Sequence, residues 1–128
     1  MKRLLPLLLL PALLLGCSSP LGRTDGVPAD ARLRVAPNIA GSLRIVDARM
    51  AKGDSDVYRL QLTFENLRSS ATRFFYRVSW MDESGLEIPS TLSSWRADAL
   101  GPNELRPISA VAPSAAAVDF LVQVQAEK

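Results

Sequence analysis

Few side chains in this chain of 128 residues can do covalent or acid/base chemistry, and their types decide which reactions are open. There is no histidine, and Cys17 is the only cysteine. Without imidazole, Ser-His-Asp and Cys-His nucleophile systems are excluded, together with the commonest general base and transition-metal ligand. A single thiol cannot close a disulfide within the chain or build a thiolate zinc or iron-sulfur site. Neither a metal nor a cofactor is expected. Carboxylate, lysine and tyrosine chemistry remain.

The carboxylates that sit closest in sequence are Asp82, Glu83 and Glu87, gathered around one turn. Glycoside hydrolysis needs two carboxyl groups about 5–10 Å apart, so this cluster is the place to look for such a pair. A turn beside strand ends is, however, where carboxylates are ordinarily hydrated, and Asp82 is expected to accept backbone N–H bonds there. Asp54-Ser55-Asp56, behind Gly53, offers oxygen ligands of the kind calcium takes but lacks the further spaced ligands and distal glutamate of an EF-hand. It reads as a solvated hairpin loop. No catalytic residue is assigned, and the chain is read as a non-enzyme. A carboxylate-dependent cell-wall glycan hydrolase is the alternative.

Recognition chemistry is the other possibility. Trp95 follows Ser93-Ser94 outside the clearest alternation. Because tryptophans are buried more often than not, a core position is favoured over a surface contact for sugar, lipid or protein. Arg68, Arg73, Arg77 and Arg96 have the bidentate guanidinium geometry that suits carboxylate or phosphate, although scattered solvated charge is the stronger reading. Trp95, Arg77 and Arg96 are the weak candidates for a partner site.

Cys17 has a different setting. Lys2 and Arg3 open the chain, Leu4 to Leu15 is apolar, and Leu14-Leu15-Gly16-Cys17 follows, the order of a secretion signal ending in a lipobox. About 20 apolar residues are needed to span a membrane, and this run is shorter and interrupted by Pro6 and Pro11. The expectation is cleavage before Cys17, lipidation of its thiol, and a stable anchor of two or three acyl chains. Ser18 in place of Asp after the cysteine resembles the sorting pattern of enterobacterial lipoproteins, which implies the outer membrane with the domain facing the periplasm. Of the 15 lysines and arginines, two leave with the signal, so 13 face 13 acidic residues. That balance gives no concentrated basic patch for nucleic acid.

Residues 17–31, with Pro20, Gly22, Gly26 and Pro28, read as a lipidated cysteine and flexible tether with a typical span of about 20 Å. From residue 32 to 128 apolar residues alternate with period two, the mark of half-buried strands. Tyr58, Leu60, Leu62 and Phe64 share one face, as do Phe74, Tyr76, Val78 and Trp80, and later Val118, Phe120, Val122 and Val124. Asp82-Glu83-Ser84-Gly85 reads as a hairpin loop in which Gly85 takes positive φ. Gly101-Pro102-Asn103-Glu104 reads as a tight turn that makes a second hairpin. Seven or eight short strands predict an all-β domain, an immunoglobulin-like sandwich of about seven strands with a small barrel as the alternative. Trp80 is expected in its core.

At Tyr76-Arg77-Val78-Ser79-Trp80-Met81-Asp82-Glu83-Ser84-Gly85-Leu86-Glu87, the chain resembles the YcfL family of small bacterial lipoproteins. The shared pattern is Y-R-x-x-W-x-D-x-x-G-L-E, preceded by a strand ending in Phe64-Glu65-Asn66. The resemblance implies a compact β-sandwich lipoprotein without catalytic residues. Members lie near a lipoprotein that activates a peptidoglycan synthase, which implies an envelope protein partner. The function expected is that of a non-catalytic binding or scaffolding module, with a glycan- or lipid-binding module as a further alternative.

Overall fold

The computed structural model describes residues 31–127. Cys17, the signal segment and the tether lie outside the described residues. Seven strands follow in order: β1 (Leu33–Val35), β2 (Leu43–Lys52), β3 (Tyr58–Asn66), β4 (Thr72–Met81), β5 (Arg96–Leu100), β6 (Leu105–Val111) and β7 (Asp119–Ala126). They form a four-stranded sheet of order β1-β7-β4-β5 and a three-stranded sheet of order β2-β3-β6. All pairings are antiparallel except that of β1 with β7. The domain is therefore the two-sheet sandwich that the alternation predicts. Its strand membership is not that of an immunoglobulin constant domain, where the first, second, fourth and fifth strands share one sheet.

The inward stripes meet between the sheets. Leu60, Leu62 and Phe64 of β3 and Phe74, Val78 and Trp80 of β4 are buried, with Phe120, Val122 and Val124 of β7 beside them. The Phe64 and Phe74 rings, from opposite sheets, lie 5.2 Å apart, and Trp80 meets Phe120 edge-on at 6.3 Å. Both spacings fall in the range where aromatic pairs add to simple area burial. Trp80, 1% exposed, is the core tryptophan expected from its place in the stripe.

In β2 the period-two rule is broken once. Leu43 and Ile45 point inward, and continued alternation would carry Asp47 and Arg49 into the core. A bulge between Ile45 and Asp47 shifts the phase, so that Ala48 pairs with Leu62 and Met50 with Leu60, while Asp47 and Arg49 form an ion pair of 2.8 Å outside. One extra residue thus spares the core two charges.

The tight turn at residues 101–104 is present, with Asn103 at φ 54°, but it joins β5 to β6 across the two sheets and does not make a hairpin. Turn composition specifies a reversal; it does not specify whether the flanking strands pair with each other. Here β5 takes β4 as its partner, and β6 takes β3. Arg106 of β6 closes the seam between them by binding Asp98 of β5 at 2.7 Å and Glu104 at 3.0 Å. The Glu104 carboxylate also accepts the Gly101 N–H at 2.7 Å.

At the same end, Asn66 is wholly buried and fully bonded. Its amide nitrogen donates to the carbonyls of Ser70 (2.9 Å), Leu100 (3.3 Å) and Gly101 (2.7 Å). Its side-chain oxygen accepts from the Arg68 N–H (3.0 Å) and the Thr72 hydroxyl (2.7 Å). Its own N–H donates to Glu104 O (2.9 Å). Removing the amide strands several buried groups at once. Asn66→Ala is expected to lower stability by about 3 kcal/mol in urea unfolding, well beyond an ordinary surface change. Asn66→Asp should do comparable damage, because a carboxylate cannot donate to the three carbonyls. A variant that unfolds like the wild type would show the amide to be dispensable.

The Gly101 N–H, and after it Arg106, hold the Glu104 carboxyl below its ordinary pKa. A carboxyl depressed on folding stabilises above its unfolded pKa and ceases to do so as pH falls through the folded value. Glu104→Gln should therefore melt below the wild type at neutral pH, with the gap closing in strongly acidic buffer. A gap unchanged across that range would contradict this.

Candidate functional site

Between Leu86 and Arg96 the chain leaves the edge of the first sheet and then returns to it. The hairpin at residues 82–86 starts the excursion. The Asp82 carboxylate accepts the N–H groups of Ser84 (2.9 Å) and Leu86 (3.1 Å), and Gly85 takes φ 80° as its position in the turn requires. A bridge between Met81 and Glu87, with the Ile88 N–H on Trp80 O, lays a short stretch beside β4. Pro89 then ends the pairing. Ser90 caps a single 3-10 turn at Thr91–Ser93 by accepting the Leu92 N–H, and the chain rejoins β4 where Arg96 pairs with Tyr76.

The excursion has two faces. On the outer one, Trp95 lies with its ring centroid 5.7 Å from the Arg77 guanidinium. Arg77 also donates to the Ser79 hydroxyl at 3.2 Å and reaches Glu87 at 3.7 Å. Trp95 is 40% exposed. The preference for a core tryptophan at this position is thus corrected. The residue sits one place before β5, on the outward side of the register, beside Arg77 and away from the inter-sheet core. At that distance the guanidinium is attracted by the electron-rich face of the indole.

On the inner face, the short β5 leaves the sandwich open, and a cleft of about 220 Å³ runs between the sheets. Its apolar walls are Tyr76, Val78, Leu92, Ala110 and Val111, with Arg96 and Ser109 at the rim. Leu92 and Val111 are 44% and 46% exposed. Burial raises the Tyr76 phenol above its ordinary pKa; Arg96 opposes that rise and Asp98 adds to it.

Of the three recognition candidates, Trp95 and Arg77 come together, while Arg96 faces the other side of the strand. Arg73 reaches Glu127 at 3.7 Å, and Arg68 donates to Ala71 O in the β3–β4 turn, so the four arginines form no common face. Asp82 caps its turn as expected and Glu87 is paired with Arg77, so these two carboxylates serve the fold and the platform. Asp54 and Ser55 lie in the exposed β2–β3 hairpin, in the wall of a wider cleft of about 530 Å³ beside Arg49, Lys52 and Arg59. The inner cleft was not foreseen from sequence, because its walls come from β4, β6 and the excursion. Pro107, which marks β6 as an edge, is the one signal that pointed toward it.

A family model described as a protein of unknown function, DUF1425, matches residues 32–126. The chain belongs to the DUF1425 family. The crystal structure of Campylobacter jejuni cj0090 superposes with a TM-score of 0.66 at 16% identity, covering 77% of this chain and 100% of that one. A DUF1425 family member from Shewanella sp. pv-4, solved at 1.81 Å, gives 0.61 at 19% identity, covering 67% of this chain and 79% of that one. The two structures share a fold with this chain. No curated protein matches the chain.

The two tryptophans should separate in solution. Acrylamide is expected to quench Trp95 and leave Trp80 dark to it, giving a curved Stern–Volmer plot. Trp95→Phe should leave a single blue-shifted emission that resists quenching. A linear plot with both residues equally shielded would contradict the exposed placement.

Proposed function

We propose that this family member is a non-catalytic binding or scaffolding module, held by a lipidated Cys17 at the periplasmic face of the outer membrane. The observation that carries the binding role is the Trp95–Arg77 platform. Tryptophan and arginine are the residue types most enriched at binding hot spots, because each offers a large, stiff contact area and a polar handle. Here the two are already in cation–π contact, so less freedom is lost on binding. The engagement of Asp82 and Glu87 in a turn and an ion pair favours this reading over a carboxylate-dependent glycan hydrolase. Resemblance of the Tyr76–Glu87 segment to the YcfL lipoproteins, together with the lipobox ending at Cys17, supports the envelope setting. The expected partner is an envelope protein, in a setting linked to peptidoglycan synthesis.

Two measurements test this. The wild-type chain should incorporate labelled palmitate and fractionate with the outer membrane, and Cys17→Ser should lose the label. Formaldehyde crosslinking in intact cells should give protein adducts above those of a control lipoprotein, and Trp95→Ala should weaken them with a stability change of about 1 kcal/mol or less. Adducts no stronger than the control would defeat the binding role. A wild-type chain that incorporates no palmitate would defeat the anchor.

A further inference from the structure

β6 lies at the edge of its sheet, and its free side is chemically open. The Ala112 N–H donates to Tyr58 O at 2.9 Å, and the Asn66 N–H to Glu104 O at 2.9 Å. Between these two pairs the register runs from Glu65 opposite Leu105 to Arg59 opposite Val111 without a shift. In an antiparallel ladder the bonded pairs alternate. Arg106, Ile108 and Ala110 therefore bond to β3, while the main-chain groups of Leu105, Pro107, Ser109 and Val111 point away from the sheet. Pro107 stands where its missing N–H would have faced outward, so the ladder loses nothing. Ser109 and Val111 keep both an outward N–H and an outward C=O.

Those two residues border the inner cleft, whose opposite wall is Leu92, Tyr76 and Val78. At about 220 Å³ it falls below the 300–1,000 Å³ typical of small-molecule sites and suits an apolar side chain better than a cofactor. Arg96 at its rim has no carboxylate within ion-pair distance among the described residues. An open main-chain edge, an apolar cleft beside it and an unpaired guanidinium at the rim are the components of β-strand addition, in which main-chain bonds give affinity and a side-chain pocket gives specificity.

We propose that the β6 edge at Ser109–Val111 binds an extended peptide segment of a partner, with one apolar side chain seated in the cleft and a carboxylate against Arg96. The proposal rests on the binding-module reading and names its partner chemistry. The residue of the added strand opposite Ala110 shares the inward direction of Ala110 and so enters the cleft. Pairing stops at Pro107, which has no N–H to give. The bound segment is therefore short and its register is fixed from one side.

The test uses the full-length chain purified in detergent and panned against phage displaying randomised ten-residue peptides. Enriched peptides should alternate apolar residues and carry an acidic one. A synthetic copy should slow amide exchange at Ser109 and Val111 while leaving Ala110, already bonded, unchanged. Ser109→Pro removes one outward N–H without touching the β3 ladder and should weaken that peptide by about tenfold, the loss of one hydrogen bond. Arg96→Glu should weaken it by at least as much. No enrichment, equal binding by Ser109→Pro and wild type, or binding without protection of Ser109 and Val111 would each overturn the proposal. Protection of the same amides on dimerisation, read by light scattering, would also overturn it by placing a second copy at the edge. The exchange measurement on wild-type protein decides the matter even if Ser109→Pro does not fold. In vivo adducts lost in Trp95→Ala but kept in Ser109→Pro would leave the binding module standing and remove strand addition.

Discussion

Asn66 is the point at which two sheets become one domain. A sandwich whose first, third, fifth and sixth connections pass between layers gathers the first, third and fifth turns at one end, where their carbonyls need donors. One amide side chain, buried at the end of β3, supplies the donors for three of those carbonyls and takes a hydroxyl and an N–H in return. The aromatic contacts between Phe64 and Phe74 are stronger in area, but apolar contacts are non-directional and would tolerate a sliding of one sheet over the other. Hydrogen bonds to fixed carbonyls do not. The amide thus sets the registration within which the core packs, and the Glu104–Arg106–Asp98 chain extends that registration down the neighbouring seam.

Function inherits this arrangement. With β5 and β6 held together at the Asn66 end, the short β5 lets them part toward the other end, and the excursion through Leu92 and Trp95 fills the gap incompletely. The platform on one side and the cleft on the other are both products of that mismatch in strand length. Neither needs a special cofactor or a titrating base. What each needs is a rigid frame, which the core tryptophan, Trp80, and the capped turn at Asp82 provide from the adjacent end of β4.

Much of the frame was legible in the residues, for a simple reason. β3 and β7 keep period-two alternation, and β4 keeps it apart from Ser79, because each is covered on one face by the opposite sheet, and Gly85 and Asp82 announce their turn by type. Other features depend on partners that are distant in sequence. The bulge in β2 appears as a slip from Ile45 to Ala48 that means little until Phe64 and Leu62 are known to lie opposite. Asn66 looks like a polar end to an apolar stripe, since its carbonyl partners at Leu100 and Gly101 are more than thirty residues away. Trp95 was read toward the core on the general habit of tryptophans, and the register beside Arg77 turned it outward. Pro107 marks β6 as an edge strand, but which neighbour the edge lacks follows only once β5 is known to pair with β4.

The parallel pairing of β1 with β7 carries a mechanical meaning. Leu33 to Val35 lie along β7 at Val122 to Val124, and the chain enters the sheet at the Arg32 end. A pull along the strand axis through the segment that precedes Arg32 loads these bonds together in shear; it does not peel them one at a time. The strand is only three residues long, so its yield point sets the largest force the domain can bear before the first sheet loses its edge.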